Sequence, residues 1–164
     1  MRRAARAVLT VSIVVFIAIQ VRQAERTNPP VDPSLAIDRH LPVPADVKAI
    51  LDRSCRDCHS HETRWPFYAY IAPMSWDLVS HVNHGREEMN LSEWGEYDAD
   101  AMGDILDAMC RQVRRGNMPL PQYLLIHRSA RLSPSDVERL CRWTSDTSVE
   151  LRARQEAEEE HSTP

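Results

Sequence analysis

Residues 44–60 read Pro-Ala-Asp-Val-Lys-Ala-Ile-Leu-Asp-Arg-Ser-Cys-Arg-Asp-Cys-His-Ser, and their spacing decides the fold. Val47, Ile50 and Leu51 recur at helical intervals behind Pro44, a residue suited to a first helical position. A helix is therefore predicted to lead straight into Cys55. The next five residues are Cys55-Arg56-Asp57-Cys58-His59, and C-x-x-C-H is the spacing of covalent haem attachment. Two thiols three residues apart share one face and can add to the two vinyl groups on one side of a porphyrin. The imidazole that follows is placed to reach the iron as the proximal ligand. Two other uses of the thiols fit less well. A zinc site completed by His81 and His84 would need a His-x-x-His spacing tighter than usual. A thiol-redox pair sits at a strand-to-helix junction in a βαβ unit, and no such unit is evident.

Further helices are expected after this motif. One runs from Pro73 to about His84, with Leu78, Val79 and Val82 along one side. Another spans roughly Asp98 to Arg115, where Met102, Ile105, Leu106, Met109 and Val113 form an apolar stripe before a stopping Gly116. The last opens with Ser133, Pro134 and Asp136 in a capping-box arrangement and continues towards Trp143. No stretch alternates with period two. The fold class is all-α, a small c-type cytochrome-like helical domain with long loops.

The flanks differ in composition. Arg2, Arg3 and Arg6 precede an uncharged apolar run from Ala7 to Ile19, the pattern of an export signal. No well-spaced small residues mark a cleavage site, so residues 1–22 are expected to stay as a membrane-anchor helix (a cleaved signal peptide is the other reading). The positive-inside bias then sends the remainder outward. Residues 23–42 hold Pro29, Pro30, Pro33 and Pro42, which suggests an extended tether. Residues 150–164 carry Glu156, Glu158, Glu159 and Glu160 and read as an acidic tail, either a frayed helix end or a solvated segment. The folded domain is expected over residues 43–149. A net charge of −4 without a basic stripe argues against nucleic acid as a partner.

An iron held by His59 takes its second axial ligand from a Met or His elsewhere. Met118 is the first candidate, because Pro119 and Pro121 would stiffen its loop. His81 or His84 is the rival, although both also fit a solvated helix face. Trp65, Phe67, Tyr68, Tyr70 and Trp76 lie close to the motif and are expected to wall a porphyrin or a small core. His127 is expected to be a hydrogen-bonding loop residue, and His61 to face solvent or a haem propionate. Cys110 and Cys141 lie near apolar helix faces, either paired or as two buried small hydrophobes. Nothing in the sequence decides between these.

The segments CHSHETRWPFYAYIAPMSW, HVNHGREEMNLSEW and RRGNMPLPQYLLIHRSARLSPSDVERLCRW together resemble the bacterial haem-binding domain family of small exported proteins. The shared patterns are C-x-x-C-H-S, P-x-x-W, G-R-x-x-x-N-x-S-x-W and M-P-L-x-x-Y-x-x-x-H, over about residues 43–143. The resemblance implies haem c on Cys55 and Cys58, with His59 as ligand. A more distant similarity links the order of elements to class I cytochromes c. The expected function is one-electron transfer in the periplasm, at the outer face of a bacterial inner membrane, with unknown redox proteins as partners. The alternative is a haem-based sensor or peroxidase-like protein with an open distal site.

Overall fold

The apolar stripe at positions 102, 106, 109 and 113 makes one helix, and its partner is the last helix of the chain. The computed structural model describes residues 1–162, all of whose regular structure is helical. In chain order the helices are α1 (Arg2–Ile19), α2 (Ile37–His40), α3 (Ala45–Ser54), α4 (Met74–Glu88), α5 (Ala99–Arg114) and α6 (Pro134–Ser162). Four short 3-10 turns lie at Phe67–Tyr70, Trp94–Glu96, Tyr123–Leu125 and Arg128–Ala130. The α5–α6 pair is antiparallel: Cys110 is bonded to Cys141, and Asp107 meets Ser148 and Arg152. Met102, Leu106, Met109 and Val113 are buried in a core with Leu140 and Trp143 of α6 and Val47, Ile50 and Leu51 of α3.

The ends of these helices are set by local chemistry. The Asp98 carboxylate accepts from Ala101 N at 2.8 Å and caps α5, and Gly116 ends it with φ +71°. At the start of α6 the Ser133 hydroxyl accepts from Asp136 N, while Ser133 N–H donates to the Asp136 carboxylate at 2.9 Å. Arg53 of α3 donates to the same carboxylate at 2.8 Å and ties the two helices. Ser133→Ala should cost about 1 kcal/mol. The backbone and hydroxyl bonds from Ser133, and then Arg53, hold Asp136 below the ordinary carboxylate value of 3.8. A depressed carboxylate stabilises the fold fully above its ordinary value and loses that contribution as the pH falls. The gap between the urea midpoints of the two proteins should therefore be largest above about pH 4 and narrow as the pH falls further, without closing, because the cap bond from Asp136 N to the Ser133 hydroxyl is independent of that charge.

Two expectations about the flanks change, and a third narrows to its helical alternative. The uncharged run of α1 covers only about 20 Å at 1.5 Å per residue, short of a hydrocarbon core of roughly 30 Å. Among the described residues no helix is long and apolar enough to cross a membrane, so the expected anchor helix is not supported. Residues 23–42 are not a free tether either. Ile37 and Leu41 are buried in the core, Ile37 N donates to Leu91 O, and Gly95 N donates to Leu35 O. Asn28 also donates to Thr63 O at 2.8 Å. Beyond residue 150 the chain stays helical as far as Ser162, with Leu151 packed on the core and Arg152 paired with Asp107. Residues 163 and 164 of the expected tail lie outside the described residues.

Candidate functional site

Helix α3 hands the chain to the C-x-x-C-H segment, which is a turn rather than a further helical turn. Cys58 N and His59 N both donate to Cys55 O, at 3.1 and 3.0 Å, and bring Cys55, Cys58 and His59 together. Both thiols are unpaired and half-buried. Burial pushes the Cys55 thiol up to about 12, helped by its neighbour Cys58. Burial and the Asp57 charge push Cys58 up to about 11. Both therefore stay protonated and lack the lowered pKa of a redox-active thiol. Among the described residues no three His, Cys, Asp or Glu side chains gather as a metal site, so the alternative zinc set with His81 and His84 does not form.

His59 closes the end of α4. Its Nδ1–H donates at 2.7 Å to Gly85 O, a carbonyl that also accepts from Met89 N at 3.0 Å, and at 3.1 Å to Met89 O just past the end of that helix. Both partners are acceptors, so Nδ1 carries the proton and Nε2 keeps its lone pair. Burial holds the imidazole below its ordinary value and hence neutral. A neutral ring oriented by a carbonyl, with a free nitrogen on the far side, is the arrangement of a metal-ligating histidine. The close approach needs Gly85, because a Cβ there would lie 2.8 Å from Cys58 O and 3.4 Å from His59 Cε1.

The rest of the Gly85–Trp94 segment holds the turn from below. Arg86 donates to Ser60 O, Thr27 O, Asn28 Oδ1 and Thr63 Oγ1, at 2.8 to 3.0 Å. Leu91 N donates to His59 O at 2.8 Å, and Ser92 Oγ accepts from His61 N. Asn90 donates to His61 Nε2 at 2.9 Å. His61 is thus buried in a network and does not face solvent. Trp94 is fully buried. Read as a sequence, this segment yields only a family pattern; contacts across some 30 positions give each letter its reason.

On the other side, a small hollow opens beside Cys58, between Tyr68, Leu78, Val82, Tyr123 and His127. Tyr123 OH donates to Asp57 Oδ2 at 3.1 Å, and its ring stacks on His127 at 4.1 Å. Tyr68 OH and His127 Nε2 share a hydrogen bond of 2.7 Å. Burial and Asp57 raise the Tyr123 pKa, which keeps its proton in place for that bond. These contacts fasten the loop after Met118 to the motif turn. Met118 itself is half-buried and packs against the central core, as Cys55 does, rather than lining this hollow. His84 is 70 % exposed beside Glu87 and Glu88, and His81 Nδ1 bonds Asp77 O within α4. The aromatic wall is only partly formed. Tyr68 faces inward, whereas Phe67 and Tyr70 are exposed and Trp76 Nε1 donates to Arg22 O.

Two half-buried neutral thiols and one oriented imidazole on a single turn, inside an all-helical domain, are the donor set of a helical haem-binding protein. The chain belongs to the haem-binding domain family, whose model matches residues 14–146, and haem is its cofactor. That match begins well before residue 43, in agreement with the docked Pro-rich segment. No curated protein and no solved structure matches the chain.

Proposed function

We propose that the protein carries haem c through thioethers at Cys55 and Cys58 and serves as a one-electron carrier outside the cytoplasm. Attachment adds each thiol S–H across a vinyl group: sulfur bonds one vinyl carbon, the proton goes to the other, and no oxidant is consumed. Thiols that are not tied up in a disulfide are available for that addition. His59 Nε2 is the proximal ligand, and Met118 is the proposed sixth ligand. When bound, haem supplies a reversible one-electron iron couple. The chain's residues hold it and keep water away: Gly85 and Met89 orient His59, and Tyr68 and Tyr123 cover the Cys58 side. The Cys110–Cys141 disulfide agrees with an oxidising compartment.

The observation that carries this reading is the His59 Nδ1–H bond to Gly85 O, with Nε2 left free beside two unpaired thiols. Protein made in a host competent for cytochrome c maturation should keep its haem through acid–acetone extraction. The Cys55→Ala/Cys58→Ala double variant should lose it. Extraction of haem from the unsubstituted protein would refute covalent attachment. Met118→Ala should abolish the ferric absorption band of a sulfur-ligated iron and open the ferrous protein to carbon monoxide. Loss of sixth ligation in His81→Ala or His84→Ala instead would move the assignment to that histidine.

A further inference from the structure

Helix α1 leaves the domain at a fixed point. Gln20 donates to Ala72 O at 3.0 Å and accepts from Ala72 N at 2.9 Å, a two-way amide pair. Trp76 Nε1 donates to Arg22 O at 2.6 Å. Arg26 donates to Ala69 O at 3.0 Å and lies 4.3 Å above the Tyr70 ring. Around this junction the surface is apolar. Phe67 is 72 % exposed, Tyr70 53 %, Met74 47 % and Ile71 39 %, within a stretch, residues 65–76, that has no charged residue. The apolar side chains of α1 up to Ala18 are exposed as well. Every charged side chain before Glu25 is an arginine: Arg2, Arg3, Arg6 and Arg22.

We infer that this continuous face seats on the surface of an anionic phospholipid bilayer, with Phe67, Ile71 and Met74 at the boundary between headgroups and acyl chains. A contiguous apolar face of this kind is uncommon on a protein that works alone in water. Aromatic side chains, aliphatic side chains and an excess of arginines are the composition of an interfacial lipid contact, and here Arg2, Arg3, Arg6, Arg22 and Arg26 outnumber the exposed acids Glu25 and Asp77. Anionic headgroups complement the arginines. A second copy of the chain is the less suitable occupant, because a two-fold interface would set that arginine-rich face against itself. Seating needs no membrane-spanning helix. It also brings the haem site close to the lipid, since the 67–70 turn sends Phe67 outward and Tyr68 into the hollow beside Cys58.

The test uses the full-length chain and vesicles of phosphatidylglycerol with phosphatidylethanolamine. The unsubstituted protein should co-sediment with them, and the Phe67→Ser/Ile71→Ser/Met74→Ser variant should bind at least about tenfold more weakly. Its far-ultraviolet spectrum and melting temperature should match those of the unsubstituted protein. A nitroxide attached at Phe67→Cys should lose access to a water-soluble relaxation agent when vesicles are added, which tests the contact without disrupting it. Equal vesicle binding by the triple variant, or a nitroxide that stays in water, overturns the inference. So does dimerisation of the unsubstituted chain that the triple variant abolishes, which would make a second copy the occupant. None of these readouts depends on how haem is held.

Discussion

Gly85→Ala should destabilise the protein by about 1–2 kcal/mol and reduce haem incorporation severalfold, although alanine is the better helix former by about 1 kcal/mol. The reason is the neighbour it meets. The new methyl would lie 2.8 Å from Cys58 O, a backbone atom in the turn that carries both thiols, and 3.4 Å from the His59 ring. A backbone turn cannot rotate away as a side chain can. Either α4 retreats, which lengthens the His59 bond to Gly85 O, or the motif turn shifts and moves the thiols. Gly103→Ala is the matched control. Its methyl would meet only the Arg152 guanidinium, at 3.7 Å, so the propensity gain should survive as roughly 0.5–1 kcal/mol of added stability. Urea titrations of both variants, with the slope checked for constancy, measure the contrast. Should Gly85→Ala prove as stable as Gly103→Ala, the close-approach account is wrong.

Residues whose partners lie nearby in sequence were the legible ones. The stripe from Met102 to Val113 placed α5 to within a residue at each end, because burial of that face follows from its own period. Ser133, Pro134 and Asp136 announced α6 for the same local reason. Residues 23–42 were misread because their prolines describe an extended chain but not what it lies on. Leu91, which anchors Ile37, is more than 50 positions away. His61 carries no signal of its own, and its buried place depends on Asn90 and Ser92 reached across the α4 turn. The five aromatic residues near the motif looked like one wall, yet the 3-10 turn at 67–70 points neighbours in different directions. The end of α6 read as either a frayed helix end or a solvated tail, because its charges, taken alone, fit both. Arg152 pairing with Asp107 and Arg154 with Glu150 extends the helix. At the site, the motif named directly the residues proposed to hold haem. Gly85, which positions one of them, had only a pattern.

Removing the bond between Cys110 and Cys141 should have the largest effect on stability. The two residues are 31 positions apart, and a closed loop of that length constrains the unfolded chain by about 3–4 kcal/mol. For a domain of this size, Cys110→Ser/Cys141→Ser should lower the melting temperature on the order of 10 °C. The closed loop runs from the end of α5 to the start of α6 and contains Met118, Tyr123 and His127. Cys55, Cys58 and His59 lie outside it. Loss of the bond therefore acts unequally on the two sides of the site. The thiol and imidazole side depends on α3 and on the end of α4, neither of which the bond touches, and should keep its haem. The Met118 side depends on where α5 releases the chain at Gly116, and it should loosen first. In the double variant, sulfur ligation should fade at a lower temperature than helical structure, followed by visible absorption and far-ultraviolet dichroism in one scan. The Tyr123 bond to Asp57 and the packing of Leu106 on Leu140 and Trp143 oppose this loosening and remain intact. A double variant that melts within about 2 °C of the disulfide-bonded protein, or that loses haem and helix together, would show that the bond is incidental to the site.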